Sequence, residues 1–178
     1  MFSFFKKKEP TANVKDVIWL SEMAKLNALA KAATENPQTV FITWFDDTFD
    51  KIQSLFTEKE LSVEHLYLAN KTWRTEAANN PVIFAEHYPL PEKEDEFYHY
   101  LGLQSATVYT SLDEPFLKMF GGDKLINLMQ KMGAKEDESI EHSMVSASIR
   151  KAQEKIRKKV AFESSARSQE EWMQRNVN

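Results

Sequence analysis

The stretch from 116 to 156, PFLKMFGGDKLINLMQKMGAKEDESIEHSMVSASIRKAQEKI, constrains this chain more than any other. Phe120-Gly121-Gly122-Asp123 reads as a small hinge. Leu125, Leu128, Met129 and Met132 follow at helical spacing, and Gly133 closes that helix, because a residue without a Cβ enters the left-handed conformation cheaply. The acidic run Glu136-Asp137-Glu138 stands before a second helix. Ser139 is the expected N-cap, with Glu138 and Glu141 favoured by the helix dipole. Val145, Ile149, Ala152, Ile156 and Val160 then mark one face of a long helix over 139–160.

Upstream, Val17 to Ala33 carries Val17, Leu20, Met23, Ala24, Leu26 and Ala30 near one face and predicts a helix, ended by Asn36-Pro37. Residues 39–45, TVFITWF, are β-branched and aromatic over the length of a buried strand. Asp46-Asp47 is read as the cap of the next helix, with Phe49, Ile52, Leu55 and Phe56 facing inward. Further strands are predicted at 63–69, 81–86 and 106–112, and a short helix from Glu92 to Leu103. Strands alternating with helices imply an α/β fold, a parallel sheet of about four strands with helices on its faces. The expected division is a segment 1–14, an α/β domain 15–122 and a helical extension 123–178.

The first stretch resembles the end of the second motor domain of SecA, the ATPase that drives bacterial preprotein export. The family reads roughly SLEDxLMxxFGGDRIxxLMxxLGMxEDExIEHxMVxxxIxxAQxKVE there. The matching residues are Ser111, Leu112, Phe120, Gly121, Gly122, Asp123, Leu128, Met129, Gly133, Glu136, Asp137, Glu138, Ile140, Glu141, His142, Met144, Val145, Ile149, Ala152, Gln153 and Lys155. They run without a gap. A weaker, collinear similarity extends the resemblance over 15–160, and it implies a trimmed RecA-like domain leading into a helical scaffold. In the family this stretch is a structural junction rather than catalytic apparatus.

The chemistry of that family has no counterpart here. There is no GxxxxGK[ST] phosphate loop, and the four glycines, Gly102, Gly121, Gly122 and Gly133, are in no such setting. The family's GRGTD loop is missing where Lys71–Asn80 runs into the third strand. Residues 86–95 look like the family's TERHESRRID, but the arginine segment QxxGRxGRxG that follows it in the family has no match. No arginine lies between Arg74 and Arg150. Without arginine or a glycine loop, nothing offsets the charge of a triphosphate. The resemblance therefore implies a non-catalytic accessory or interaction protein of the bacterial cytoplasm, without cofactor and with no nucleotide-binding residues. Two other readings stand beside it: half of a split ATPase completing its site in trans, and a degenerate helicase-type domain binding nucleic acid. The missing arginines weigh against both, and the net charge of -4 weighs further against the second.

Other constellations are weak. His65, His87, His99 and His142 show no metal-ligand spacing, Glu92, Glu94, Asp95 and Glu96 read as a solvated helix start, and no serine has a GxSxG setting. Cysteine is absent, so there is no disulfide framework or thiolate metal site. Met1 to Lys8 places its lysines after its aromatics, unlike a signal peptide; it reads as a plain start, or at most a weak membrane-surface contact. Trp19, Trp44 and Trp73 read as core by default. The apolar stripe is expected to fold back through Ile149. From Ala152 onward it is expected to meet a protein partner or a second copy, with Ile156, Val160 and Trp172 as candidate interface residues.

Overall fold

A computed structural model describes residues 12–177, so the Met1–Lys8 segment lies outside the described residues. Five strands form one wholly parallel sheet, β1 (Asn13–Trp19), β2 (Val40–Thr43), β3 (Leu66–Leu68), β4 (Val82–Phe84) and β5 (Ser105–Ser111), in the order β1-β5-β4-β2-β3. The central and edge strands β2, β4 and β3 read as short, largely apolar runs, as strands of a covered parallel sheet do, whereas β1 and β5 mix polar with apolar residues. Helices α1 (Glu22–Glu35) and α2 (Asp46–Glu58) cover one face. Leu26, Leu29, Ile52 and Phe56 there meet Phe41, Leu66 and Ile83. The short α3 (Arg74–Ala77) and α4 (Pro91–Leu101) cover the other, where Tyr98 and Leu101 meet Val40, Ile42, Phe84 and Val108.

The expected parallel α/β architecture is present with one strand more than predicted. Val17 to Leu20 is not the start of a helix. The continuous apolar run Val17-Ile18-Trp19-Leu20 is buried as strand β1 and its exit, paired residue for residue with β5. The helix begins only at Glu22, where the Ser21 hydroxyl caps the Ala24 amide. The strand begins at Asn13, inside the stretch set apart as 1–14.

Helices α5 (Pro115–Lys118), α6 (Gly122–Lys131), α7 (Ser143–Arg157) and α8 (Gln169–Asn176) follow β5. A third cluster joins Ile18, Leu20, Phe45 and Leu112, which leave the carboxyl ends of their strands, to Phe116, Ile149, Ala152, Ile156, Val160 and Trp172. It draws on both sides of the expected boundary at 122. The carboxyl end of the sheet is thus roofed by the C-terminal helices. Among the described residues no helix is long and apolar enough to cross a membrane.

Helix α7 is shorter than the 139–160 pattern suggests, and its cap is His142, whose Nδ1 accepts from the Met144 amide. Ser139 cannot serve, because Ile140 exchanges both backbone hydrogen bonds with Ile18 and holds the chain extended. Glu141, expected at the helix dipole, pairs with Lys15 at 2.9 Å.

Candidate functional site

In open α/β sheets ligands sit outside the carboxyl ends of the strands, where the order of connection reverses. Here β2 leads outward to β3 while β4 lies on its other side. Glu86, two residues beyond β4, spans that crevice. Its Oε1 accepts from the amides of Trp44 and Phe45 at 2.9 and 3.0 Å, and its Oε2 from the Thr48 hydroxyl at 2.6 Å. Glu86 thus holds the two residues that lead into α2, Trp44 and the cap residue Phe45, while inside the first turn the Asp47 amide donates to the Arg167 carbonyl at 3.0 Å; the side chains of Asp46 and Asp47 sit in that turn without capping it.

Beside it lies Lys25, buried on α1. Its ammonium donates to Glu114 Oε1 at 2.5 Å and to the Ala85 carbonyl at 2.9 Å. Glu114 also accepts from Thr110 and from the Ser111 amide. Burial works against the Lys25 charge, but Glu114 and Glu86 outweigh it and hold its pKa above the usual lysine value. Burial also pushes the Glu86 carboxyl up to about 7, with Lys25 and Thr48 only partly opposing it. A cleft of about 290 Å³ remains over these groups, rimmed by Glu22, Asp47, Lys51 and Glu170. At the start of α1 the Glu22 amide already donates to Asp113 Oδ2 at 3.0 Å.

A second buried network fastens the roof. His87 lies between two carboxylates, Nε2 at 2.7 Å from Asp16 Oδ1 and Nδ1 at 2.9 Å from Glu94 Oε1. Burial disfavours the imidazolium, yet Glu94 and Asp16 outweigh it and hold the His87 pKa well above its ordinary value, so the ring donates from both nitrogens. Gln153 of α7 donates to Glu94 Oε2 and to the Tyr88 carbonyl, each at 2.8 Å. Gln169 of α8 accepts from the Phe116 amide and donates to the His87 carbonyl. Arg150 of α7 clamps both oxygens of Asp95. The acidic start of α4, read from sequence as a solvated helix start, is therefore the socket for α7. A carboxylate–histidine–carboxylate row resembles hydrolytic machinery, but all three side chains are buried and their oxygens and nitrogens face each other.

The sequence-predicted residues divide accordingly. Gly121 and Gly133 take positive φ, 93° and 86°, as a hinge and a helix end require. Gly122 is packed on the backbone of Leu112 and Leu117. Phe120 packs on Phe116 and carries Lys155 over its outer face, and Asp123 lies in the exposed first turn of α6. Ala152 and Gln153 are buried, Val145 is partly buried, and Met144 is exposed. The expectation of an interface at Ile156, Val160 and Trp172 is corrected. Ile156 is 1 %, Val160 5 % and Trp172 0 % exposed, because the stripe folds back along its whole length onto Leu20, Phe45 and Phe116. Sequence reasoning missed Lys25, Glu86, Glu114, Asp16, His87 and Glu94 as partners. The one available signal was a lysine on the inward face of α1, next to Leu26 and one turn from Leu29. Among the described residues no group of three or more His, Asp or Glu side chains could hold a metal ion.

No protein-family model matches the chain. It is 46% identical over 52 residues to protein translocase subunit SecA 1 of Alkaliphilus metalliredigens, a match covering 29% of this chain and 6% of that protein. It is 54% identical over 48 residues to protein translocase subunit SecA of Acidithiobacillus ferrooxidans, and 50% identical over 48 residues to that of Acinetobacter baylyi. Each of these covers 27% of this chain and 5% of the relative. The matches thus span only a small part of the length of these relatives. The chain carries a SecA-related segment, over a little more than a quarter of its length, within a parallel α/β fold.

Proposed function

We propose that this is a non-catalytic SecA-related interaction protein that serves protein translocation in the bacterial cytoplasm. The observation that carries the reading is the state of the sheet's carboxyl end. A phosphate cradle needs free backbone amides and an available cation at a helix start. Glu86 holds the amides that lead into α2, the Asp47 amide in its first turn donates to the Arg167 carbonyl, the Glu22 amide at the start of α1 donates to Asp113, and Lys25 is neutralised by Glu114. Above them the start of α8, through Ser168, Gln169 and Glu170, borders the cleft. A triphosphate brought there would meet five carboxylates, Glu22, Asp47, Glu86, Glu114 and Glu170, and two lysines already paired, Lys25 with Glu114 and Lys51 with Glu22 and Asp47, rather than arginines.

The SecA-related segment supplies the link to translocation, and its junction role fits the way α7 is socketed on α4. Partner contact or self-association falls to surfaces other than the inner stripe, which is used internally. Isothermal titration with Mg-ATP tests the reading. No heat is expected up to millimolar nucleotide. A micromolar dissociation constant would overturn it in favour of an ATPase half acting in trans.

A further inference from the structure

The outer flank of α1 borders a groove of about 560 Å³. Val17 and Trp19 of β1 and Tyr109 of β5 line its floor, with the Trp19 and Tyr109 rings 4.5 Å apart. The α1 wall is 14 residues long, about 21 Å at 1.5 Å per residue. It presents Ala24, Ala28 and Ala32, one turn apart, to the groove. The facing wall is the segment 136–141, fixed by the Ile18–Ile140 bridge and by the Ser21 hydroxyl, which donates to Glu136. Met23 stands at the groove's edge, 62 % exposed.

Shape and charge choose the occupant. The groove follows about four turns of α1 along the alanine row, with Met23, Asn27, Lys31 and Glu35 bordering it, so over that row a second helix can approach to about the usual 8–10 Å between axes. An apolar floor with an exposed methionine suits the apolar stripe of such a helix. Four carboxylates, Glu35, Glu136, Asp137 and Glu141, line the groove against one cation, Lys31. Lys15 offsets Glu141 in part. An acidic helix would be repelled. We infer that this groove docks a basic amphipathic helix of a partner protein, with its leucine-like stripe over Trp19 and Tyr109 and its lysines or arginines toward 136–141. The inference rests on the reading of the chain as an interaction protein and names the chemistry of its partner.

The probes are two synthetic 14-residue peptides with the same leucine periodicity, one with lysines and one with glutamates on the polar face. Amide NMR spectra of the full chain are recorded with each. The leucine/lysine peptide is expected to shift Ala24, Ala28, Ala32, Tyr109 and residues 136–141 saturably, and the leucine/glutamate peptide to leave them unmoved. Ala28→Arg, which fills the groove from a half-exposed position, should weaken binding at least tenfold. The paired exposed-loop change Glu136→Gln with Asp137→Asn should weaken it severalfold and flatten its salt dependence, which keeps the test decisive if the arginine variant fails to fold. Shifts confined to another surface, equal responses to both peptides, or unchanged affinity in a natively folded variant would overturn the inference. So would concentration-dependent shifts at these amides without peptide, which assign the groove to a second copy. Mg-ATP binding together with an intact groove response would instead remove only the non-catalytic reading.

Discussion

Gly121 and Gly122 are neighbours in the SecA-like motif, yet the structure gives them different reasons to be glycine, and a pair of alanine substitutions separates the two. Gly121 has φ 93° and open space where a Cβ would point. Alanine there meets only the cost of a left-handed backbone, about 1–2 kcal/mol. Part of that is returned by the smaller entropy of the unfolded chain, about 0.4–1 kcal/mol, leaving a net loss of about 1 kcal/mol. Gly122 opens α6 with no positive φ, so alanine is conformationally welcome, by about 1 kcal/mol in a helix. Its Cβ, however, would lie far inside contact distance of the Leu112 carbonyl oxygen, and 3.1 Å from the Leu117 carbonyl carbon and oxygen. Both neighbours are backbone and cannot rotate away. Leu112 is tied to Trp19 at the end of β5, and Leu117 sits in α5. Overpacking of this kind costs about 1–3 kcal/mol and occasionally more. Because backbone must move, Gly122→Ala is placed at the upper end, about 3 kcal/mol after the helix gain. For a chain of this size 1 kcal/mol corresponds to about 2–4 °C. Gly121→Ala should lower Tm by about 3 °C and Gly122→Ala by about 10 °C, read by circular dichroism and confirmed by urea midpoints. If Gly122→Ala proves no worse than Gly121→Ala, the packing account of the second glycine is wrong.

Two further expectations concern the buried groups. Glu86 binds its proton more tightly in the folded chain, with a pKa raised from 4.5 to about 7. Its contribution to stability is therefore full below pH 4.5 and is lost as pH rises through 7, about 3 kcal/mol at 1.36 kcal/mol per unit. Glu86→Gln keeps the acceptor for Trp44 and Phe45, so its urea-unfolding free energy should lose much less than wild type between pH 5 and 7.5; parallel curves would refute this. Ile156→Asp places a carboxylate in the cluster around Trp172 and should lower Tm by many degrees or prevent folding. A variant that keeps its Tm but loses a partner or an oligomer would restore the interface reading of α7.

What the sequence makes legible here is local. The glycine at the end of α6 is readable because its φ is a single-residue property. The strand at 39–45 is readable because a β-branched run of that length has few other uses. The beginning of the chain misleads because Val17, Leu20 and Met23 fall three apart by coincidence, while the stronger signal, four consecutive apolar residues ended by the N-cap Ser21, belongs to a strand and the helix after it. The extent of α7 misleads for a different reason: Ile140 is taken out of the helix by a backbone partner more than 100 residues away, at Ile18.

The carboxyl-end site is the least legible part because each of its charges is explained by a distant one. Lys25 and Glu114 are 89 residues apart and His87 and Asp16 are 71 apart. A glutamate in a helix start looks solvated until the helix that covers it is in place, as Glu94 is covered by Gln153. The same dependence bears on the apolar stripe of α7. From sequence alone an uncovered stripe and a covered one are identical, and a partner has to be invoked if the rest of a larger protein is missing. Here the cover is supplied by Trp172 and Met173 of α8 and by the strand exits at Leu20, Phe45 and Leu112. With them the SecA-related segment is covered within the chain and itself covers the carboxyl end of the sheet.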